Sequence, residues 1–311
     1  MELKLPSDPD RPHEVLLVGE YYYDLIFSGL RSPPTLGSDI WSDGFEAVAG
    51  ANFTTARAFR LLNIKAGWWC EAGSDIFSQL MLAEAARLGI DTSLVQRRAE
   101  PRIRVSAAFS MPEDRGFISH FAGEETLPSR QHIDRLRPRV LLVQGLTCRD
   151  GLADLFAHAR SLGVLCCLDC QHVDEGLQDK GLTEILSHLD VFFLNETEAA
   201  RLTGLADCRE ALAALSAHVP AVILKRGAKG AIARVNGAEM EQAALPVTVV
   251  DTTGAGDSFN AGFVYGLLKG WSLSNVLGAA VACGSAAVTA HGGHGLPGES
   301  DLLNALNETS D

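Results

Sequence analysis

The chain has 311 residues, of which 47% are hydrophobic and 21% are charged, and its formal net charge is −13. This length is enough for one large α/β domain or two smaller ones around a buried core. Because nucleic acids and anionic membranes are themselves negative, the acidic balance argues against nonspecific binding to either of them, and no apolar run approaches the roughly 18–20 residues that would cross a bilayer.

Short apolar runs recur along the chain after a polar start at 1–14, which is typical of a loose tail rather than of a targeting segment. Continuous runs of this kind predict strands that are buried on both faces of a parallel sheet. They are VLLVG at 15–19, VLLVQG at 140–145, VLCCLD at 164–169, VFFLN at 191–195 and AVILK at 221–225. Helical patterns lie between them, at 51–62, 77–89, 151–163 and 196–204. This alternation predicts right-handed crossovers and an α/β fold with a doubly wound, mostly parallel sheet flanked by helices.

Two segments interrupt the alternation of strands and helices. Residues 21–47 contain three consecutive tyrosines, a proline pair and Trp41 without a long helix. Residues 99–122 alternate apolar and polar side chains around a turn at 111–114, which predicts a hairpin with one exposed face. We expect both segments to form a small β lid within a single domain that spans residues 1–311. An exposed lid sheet has edges that can pair with another copy, which predicts a homodimer through the lid.

The chain contains seven cysteines, an odd number in apolar surroundings. Together with the polar start, this favours reduced thiols in a cytoplasmic protein. Cys167 and Cys170 could form a redox or metal-binding pair, or they could be small apolar residues of the buried strand at 164–169. The second interpretation is favoured, because no second cysteine pair or histidine cluster lies at metal-ligand spacing.

The segment with the strongest chemical signal is VDTTGAGDSFNAGF at 250–263, which continues into a helical pattern where Gly262 and Gly266 would allow close packing. Thr-Gly-Ala-Gly therefore lies at a helix N-terminus, where unsatisfied N–H groups and the positive end of the helix dipole bind anions. The dipole also favours the ionised form of Asp257, which could accept the proton of an attacking hydroxyl. The alternative is that Asp257 only caps the helix. A base beside an anion site is what phosphoryl transfer requires.

The stretch DTTGAGDSFNAGF resembles the C-terminal signature of the ribokinase-like, or PfkB, carbohydrate kinases, and the resemblance extends over nearly the whole chain. It implies a ribokinase-like fold and the use of ATP. It also implies that Asp257 is the catalytic base and that the backbone of Gly254, Ala255 and Gly256 forms an anion hole. A P-loop of the form GxxxxGK[ST] is absent from the sequence, which argues against a Walker-type kinase.

Further matches to this family assign substrate and cation ligands. Asp24, which follows Gly19 in a Gly-x-x-x-x-Asp pattern, matches an aspartate that binds substrate hydroxyls, although it could also be a turn or strand-end residue. Asn52 matches the asparagine of the family's first signature, and its alternative role is that of a helix N-cap. Family members often bind K⁺ beside the anion hole, and Asp251 and Thr253 match two of its ligands.

Two other stretches imply the nucleotide side of the site. Asn195 and Glu198 match the family's Asn-x-x-Glu, which is tied to Mg²⁺ and phosphate through water; otherwise Glu198 is an ordinary first-turn glutamate that the helix dipole stabilises. The segment LKRGAKGA resembles the strand and turn beside the nucleotide, and it assigns Lys225, Gly227 and Gly230 to nucleotide binding. A solvated charge on a loop is the alternative for Lys225, and from the residues alone it is the favoured interpretation.

The sequence departs from the family pattern in two places. Ala47 and Val48 replace the glycine pair of the first signature, and their side chains would crowd a sugar that normally lies against bare backbone. Glu124 and Glu125 form an acidic pair where the family has a Gly-Ala-Asn-like loop, and their charge disfavours a substrate that already carries a phosphate. We therefore expect a non-phosphorylated sugar or a nucleoside as the substrate.

Three functions are compatible with these residues. The leading prediction is an ATP-dependent carbohydrate kinase that transfers the γ-phosphoryl group to a hydroxyl of a small sugar, with Mg²⁺ bridging the phosphates near Glu198. The tyrosine run at 21–23 and the crowded first signature favour a nucleoside kinase of the same fold as the alternative. The altered signature also allows a catalytically inactive sugar-binding or regulatory protein, against which the intact Asp257 and glycine-rich loop argue.

Overall fold

The computed structural model describes residues 5, 12–110, 115–146, 150–171, 175–290, 292 and 295–308. The strands of these residues are, in chain order, β1 (Val15–Val18), β2 (Tyr21–Ser28), β3 (Gly44–Ala51), β4 (Ala66–Trp69), β5 (Glu71–Ala72), β6 (Gln96–Arg97), β7 (Arg104–Ser110), β8 (Arg115–Phe121), β9 (Val140–Gln144), β10 (Leu165–Asp169), β11 (Val191–Asn195), β12 (Ala221–Lys225), β13 (Ala231–Val235) and β14 (Ala238–Gln242). The helices are α1 (Asn52–Leu61), α2 (Ile76–Leu88), α3 (Arg130–Leu136), α4 (Leu152–Ser161), α5 (Lys180–Ser187), α6 (Glu196–Thr203), α7 (Cys208–Leu215), α8 (Ala255–Leu268), α9 (Leu273–Ala287) and α10 (Glu299–Glu308). Across this described part of the chain, no helix combines the length and the apolarity that crossing a membrane requires.

The body of the protein is built on an eight-stranded sheet with the order β14-β13-β12-β11-β10-β9-β1-β4. The strands from β12 to β4 in this order pair in parallel, whereas β13 and β14 add two antiparallel strands at one edge. The strands β1, β9, β10, β11 and β12 coincide with the apolar runs of the sequence. The predicted doubly wound, mostly parallel sheet is therefore confirmed.

The main sheet separates two hydrophobic cores, because successive side chains of a strand point to opposite faces. Val15 and Leu17 of β1 enter the core beneath α1, α2, α8 and α9. Leu16 and Val18 enter the core beneath the helices from α3 to α7. Since both faces are covered, these strands are marked in the sequence by continuous rather than alternating apolar residues.

A four-stranded sheet with the order β3-β2-β7-β8 contains the two segments that interrupt the strand–helix alternation. β2 pairs antiparallel with β3, β7 pairs antiparallel with β8, and β2 joins the two hairpins by pairing in parallel with β7. The first segment is longer than predicted, because β3 continues past residue 47 to Ala51 and leads directly into α1. The predicted turn at 111–114 lies outside the described residues. We refer to this four-stranded sheet as the lid sheet.

A buried charge network ties the lid sheet to the body. Arg104, at the start of β7, is fully buried, and its Nη2 lies 3.2 Å from the Glu20 carboxylate. Its Nη1 donates to the Glu71 carbonyl at 2.8 Å, and the Glu71 carboxylate pairs with Arg98 at 2.6 Å and with Arg102 at 2.8 Å. Glu20 lies between β1 and β2, so the same ion pairs hold two places where the chain passes into the lid sheet. Mutual pairing is what allows the charges of Glu20, Glu71 and Arg104 to be buried together.

Helices α8 and α9 approach each other closely because glycines of α8 face the contact. A Cβ atom at Gly262 would lie 2.6 Å from the Ala279 carbonyl oxygen and 2.8 Å from Cys283 Sγ. A Cβ atom at Gly266 would lie 2.9 Å from Val276 Cα. The predicted role of these glycines in close packing is confirmed, and the packing fixes how deeply α8 lies against the main sheet.

The substitution Gly262→Ala should destabilise the protein. Alanine improves helix propensity by about 1 kcal/mol, but overpacking against the α9 backbone typically costs about 1–3 kcal/mol. We therefore expect a lower Tm in thermal unfolding followed by circular dichroism. Gly278→Ala in α9 is the matched control, because the nearest atom to its Cβ would be Leu306 Cδ2 at 3.5 Å, an ordinary contact. A Gly262→Ala protein at least as stable as the control would contradict the packing argument.

Candidate active site

Four neighbouring parallel strands end in polar residues at one edge of the main sheet. Gln144 ends β9, Asp169 ends β10, Asn195 ends β11 and Lys225 ends β12. Gln144 is in register with Asp169, and Asn195 with Lys225. The sequence motifs predict Asn195 and Lys225 as site residues, but no motif marks Gln144 or Asp169. The available signal was their position as the final polar residue of a predicted strand, because α/β sheets bind ligands at the carboxyl ends of their strands.

The loop before α8 brings the first turn of this helix to the same edge. Gly254 is the N-cap and has a φ of 75°, in the left-handed region that favours glycine. A Cβ atom there would also lie 2.8 Å from Thr54 Cγ2, so both the conformation and the available space require glycine. Asp257 lies in the first turn of the helix, and the Ala255 amide makes a long, 3.3 Å bond to the Thr252 carbonyl. The predicted helix N-terminus is confirmed, while its binding of a phosphate stays a prediction.

The Asp257 carboxyl group is surrounded by polar and charged side chains. Gln144 Nε2 donates to Asp257 Oδ1 at 3.0 Å. Burial, together with the negative charges of Asp169 and Asp24, raises the pKa of Asp257 to about 7 against the opposing effects of Lys225 and Gln144. The sequence argument that the helix dipole holds this residue ionised is therefore incomplete, because burial acts in the opposite direction. A carboxyl group with a pKa near the working pH is well suited to accept a proton.

Lys225 forms an ion pair with Asp169 next to this carboxyl group. Its Nζ lies 2.6 Å from Asp169 Oδ1 and 3.5 Å from Asn260 Oδ1. Burial acts to lower the pKa of Lys225, but the nearby Asp169 and Glu198 outweigh that effect and hold the pKa above its usual value. The ammonium is therefore charged. The alternative of a solvated loop charge is wrong for Lys225, because its side chain is only 15% exposed and pairs with a buried carboxylate.

Asn195 and Glu198 form a capping box at the N-terminus of α6. Asn195 Oδ1 accepts from the Glu198 amide at 2.9 Å, and Glu198 Oε2 accepts from the Asn195 amide at 2.8 Å. Glu198 also lines the cavity described below, and burial together with the charge of Asp169 raises its pKa to about 7. The helix-stabilising interpretation of Glu198 thus holds, and it leaves the residue at the wall of a cavity where a hydrated cation could approach.

Two buried side-chain oxygens, of Asn52 and Gln144, have no hydrogen-bond partner. Asn52 Nδ2 donates to the Glu20 carbonyl at 3.0 Å, which leaves Asn52 Oδ1 unpaired, and Gln144 Oε1 is unpaired as well. A buried acceptor without a donor costs about 1–3 kcal/mol, so a ligand hydroxyl that donates to either oxygen would be favoured. The N-cap alternative for Asn52 is wrong, because Ala51, with a φ of 53°, occupies the cap and Asn52 is the first residue of α1.

Asp24 lies on β2 directly opposite Val48 on β3. It is buried, and Gly50 makes room for it, since a Cβ atom at Gly50 would overlap Asp24 Oδ2. Val48 is buried on the same face of the lid sheet as Asp24, whereas Ala47 is exposed on the other face. The predicted crowding of the substrate by both residues therefore needs correction, because Val48 alone narrows the space beside Asp24.

The three consecutive tyrosines of β2 divide between the two faces of the lid sheet. Tyr21 and Tyr23 belong to the main hydrophobic core. The Tyr22 ring lies on the other face, with its centroid 6.1 Å from that of Phe121. Core packing thus accounts for two of the tyrosines, and only Tyr22 shares a face with the substrate-side residues.

A cavity of about 780 Å³ opens beside Asp257, within the range of about 300–1,000 Å³ that is typical of small-molecule sites. The apolar part of its wall is formed by Leu245, Pro246, Val247, Val249, Val281 and Val288. Gly227 and Gly230 also line it, and at Gly230, where φ is 87°, a side chain would overlap the Gln242 carbonyl. The cavity suits a ligand with a flat apolar end and an anionic end that points towards α8.

The predicted ligands of a monovalent cation, Asp251 and Thr253, lie together in the loop before α8. Asp251 Oδ1 accepts from the Thr253 amide at 2.9 Å and from its hydroxyl at 2.8 Å, and Asp251 Oδ2 accepts from the Gly292 amide at 3.0 Å. Within the ranges that the structure describes, no group of three or more histidines, cysteines or acidic residues is arranged to hold a metal ion.

The chain is similar to known proteins over most of its length. The family model described as pfkB family carbohydrate kinase matches residues 13–297. A 5-dehydro-2-deoxygluconokinase of Geobacillus thermodenitrificans is 25% identical over 310 residues, which cover 92% of this chain and 90% of that protein. The structure of Arabidopsis thaliana ribokinase complexed with ribose and ATP has a TM-score of 0.81 at 25% identity and covers 94% of this chain and 98% of its own. An Escherichia coli structure in complex with ATP and Mg²⁺ has a TM-score of 0.80 at 20% identity, with coverage of 95% and 99%.

Proposed function

Because the chain belongs to the pfkB family of carbohydrate kinases, we propose that it transfers the γ-phosphoryl group of ATP to a hydroxyl of a small, non-phosphorylated sugar or sugar-like molecule. The observation that carries this proposal is the place of Asp257. Its carboxyl group lies at a helix N-terminus, beside a cavity of about 780 Å³ and hydrogen-bonded to Gln144, whose other amide atom is a buried, unpaired acceptor. Phosphoryl transfer needs a base, anion-binding amides and room for a nucleotide at one point.

In the proposed reaction, the hydroxyl oxygen of the substrate attacks the γ-phosphorus while Asp257 accepts the hydroxyl proton. The backbone amides of residues 254–256 and the positive end of the α8 dipole stabilise the charge that develops on the transferring group. Gln144 fixes the direction of the carboxyl group through its 3.0 Å hydrogen bond. Asp24 and Asn52 are the proposed acceptors for the other hydroxyls of the substrate, since both are buried and polar.

Two cation sites belong to this proposal. When bound, Mg²⁺ would supply positive charge that offsets the negative charge of the phosphates. Asn195 and Glu198 suit an approach through water, because Glu198 lines the cavity while one of its oxygens is held by the capping box. Asp251 and Thr253 are the proposed ligands of a monovalent cation such as K⁺, and their contact at 2.8 Å supports a shared role.

The nucleotide is proposed to occupy the cavity with its ring against the apolar wall and its phosphates towards Lys225, Gly227 and Gly230. The complexes of the similar proteins support this, since the Arabidopsis ribokinase was solved with ribose and ATP and the E. coli protein with ATP and Mg²⁺.

The described cysteines are all unpaired, which supports a cytoplasmic location.

Asp257→Asn should abolish most of the turnover without unfolding the protein. An amide cannot accept the hydroxyl proton, so kcat should fall by about 10²–10⁴-fold. The asparagine oxygen can still accept from Gln144, which preserves the fold. The measurement is ADP release with a panel of ribose, fructose, 5-dehydro-2-deoxygluconate, sugar phosphates, adenosine and cytidine.

Asp179→Asn is the matched control for this variant, because Asp179 is the N-cap of α5 and does not line the cavity, and asparagine caps equally well. It should retain wild-type turnover. Turnover of the Asp257→Asn protein at the wild-type rate would show that Asp257 is not the base. If the protein turned over nucleosides but no sugar, the proposed substrate would be a nucleoside instead of a sugar.

The kcat/KM of the wild-type protein should show an acid limb with an apparent pKa of about 7. Asp257 accepts a proton only when ionised, and because its pKa is about 7 the reactive fraction falls as the pH drops below that value. Glu198 also has a pKa of about 7, so its titration could contribute to the same profile. The Glu198→Gln variant is therefore measured in parallel. It should still show the acid limb, because Asp257 is unchanged. A rate that stays flat between about pH 8 and 5.5 would contradict the assignment of the base.

The lid sheet is the proposed interface of a homodimer. Ile26, Val48 and Ala108 form a small apolar cluster on the face that carries Asp24, and the cross-strand register places Phe117 on the same face. Phe117 is 49% exposed, which is unusual for an aromatic side chain beside a buried cluster. A second copy would cover this face and the edges of the lid sheet.

Light scattering should give twice the chain mass of 33.2 kDa for the wild-type protein. Phe117→Asp should convert it to a monomer, because a charge would be buried in the interface. Ile118→Asp is the control, since Ile118 is 70% exposed on the opposite face. A wild-type monomer at micromolar concentration would overturn the proposed dimer, and dissociation by Ile118→Asp alone would move the interface to the other face.

A further inference from the structure

Lys225 lies at the centre of a group of carboxylates at the carboxyl edge of the main sheet. We propose that Lys225 is a catalytic residue of the phosphoryl transfer, whose ammonium donates hydrogen bonds to the transferring γ-phosphoryl group, and that Asp169 is the positioning residue that holds it there. This inference rests on the proposed kinase function and deepens it, because it gives Lys225 a role in the transition state as well as in binding the nucleotide.

The geometry places the ammonium beside the proposed anion hole. Lys225 lines the cavity together with Gly256 and Asp257. A Cβ atom at Gly256 would lie 3.3 Å from Lys225 Nζ, so the ammonium lies against the backbone of the glycine-rich loop. Asp169 holds it at this point with a contact of 2.6 Å. A phosphoryl group that accepts from the loop amides would therefore lie within reach of the ammonium.

The Lys225 ammonium has N–H donors available for a phosphoryl group. A lysine has three N–H donors, and Asp169 takes one of them. The contact with Asn260 Oδ1, at 3.5 Å, is at the long limit of a hydrogen bond. Asp169 is 6% exposed and Lys225 is 15% exposed, and both side chains line the cavity.

The charge of the site gives this ammonium a specific task. Among the described residues that line the cavity, Lys225 is the one with a cationic side chain, and it interacts with Asp169, Glu198 and Asp257. In phosphoryl transfer, negative charge is spread over the three γ-phosphoryl oxygens, and preorganised donors that face them lower the barrier. The high pKa of Lys225 suits a donor, because the residue keeps its protons instead of competing with Asp257 as a base.

The bond changes of this step are those of a direct transfer. A bond forms between the substrate oxygen and the γ-phosphorus, and the bond between this phosphorus and the oxygen that bridges to the β-phosphate breaks. The hydroxyl proton passes to Asp257, and the electron pair of the broken bond stays on the β-phosphate of ADP. Lys225 loses no proton and offsets the charge on the γ-phosphoryl oxygens throughout.

A purely structural ion pair is the competing explanation, and it makes a different prediction for variants. Removing Lys225 alone leaves Asp169 buried without a counterion, which destabilises a protein whatever the role of the pair. Removing both charges, in Asp169→Asn with Lys225→Met, relieves that cost. If the pair were only structural, the double variant would regain activity together with stability.

The experiment measures Tm, and kcat and KM with the best sugar of the panel, for the wild-type protein and for Lys225→Met, Lys225→Arg and the double variant. Lys225→Met should lower kcat by about 10²–10³-fold while the KM for the sugar changes by less than about threefold. Lys225→Arg should be at least about tenfold faster than Lys225→Met, because it keeps a cationic donor. The double variant should have a Tm closer to the wild type than Lys225→Met has, yet a kcat that remains about 10²-fold reduced or lower.

The charge of Asp169 has a separate readout in the pH profile. The charged groups that face Asp257 are Asp169, Lys225 and Asp24. Because the charge of Asp169 raises the pKa of Asp257, Asp169→Asn should move the acid limb of kcat/KM to lower pH.

Two results would overturn the inference about Lys225 without affecting the proposed function, provided that the wild-type protein turns over a substrate. The first is a kcat of Lys225→Met within about threefold of the wild type. The second is a double variant that regains the wild-type kcat together with its stability. Absence of turnover by the wild-type protein with every sugar and nucleoside would instead overturn the proposed function, and this inference with it.

Discussion

The N-terminus of α8 has to reach the carboxyl edge of the main sheet with a carboxyl group in its first turn, and this constraint organises the rest of the structure. The helix lies deep enough only because Gly262 and Gly266 admit α9 at distances that a side chain would not allow. Gly254 turns the chain into the helix with a φ of 75°. Gln144, at the end of β9, then meets Asp257 at 3.0 Å. The main sheet, the loop before α8 and the packing of α8 on α9 thus together determine the position of the Asp257 carboxyl group.

The surroundings of Asp257 disfavour a negative charge, and a nearby positive charge partly offsets this effect. Burial raises the pKa of both Asp257 and Glu198 to about 7, and Asp169 adds a third acidic group. Lys225 is shared among the three, which limits the repulsion without neutralising the site. A net charge of −13 would repel a free nucleotide over long distances. In the proposed function, attraction of phosphates would therefore depend on short-range donors, namely the amides of the helix N-terminus and the Lys225 ammonium, and on cations that arrive with the nucleotide.

The sequence was sufficient for the elements of the fold but not for the contacts between them. Strands buried on both faces are continuous apolar runs, and the glycine-rich loop marks a helix start, so both could be predicted. Gln144 and Asp169 were missed because their importance depends on which strands are neighbours, and periodicity does not contain the order of strands. Asn52 was open to an N-cap role because local sequence does not reveal that β3 runs directly into α1 through Ala51. The dipole argument for Asp257 lacked the opposing effect of burial, which arises from residues distant in sequence.

The charges beneath the lid sheet give a physical reason for the proposed non-phosphorylated substrate that does not depend on the family signature. Asp24 is buried there, and burial raises the pKa of Glu20 to about 7, with the charge of Glu125 acting in the same direction. Arg104 is a cation of this region, but it is fully buried, pairs with Glu20 at 3.2 Å and is covered by the Phe121 ring at 4.8 Å. The phosphate of a phosphorylated substrate would be repelled by these carboxylates, while this arginine is already engaged. Hydroxyl groups, in contrast, are donors that buried carboxylates accept, so a polyol gains hydrogen bonds where a sugar phosphate gains repulsion.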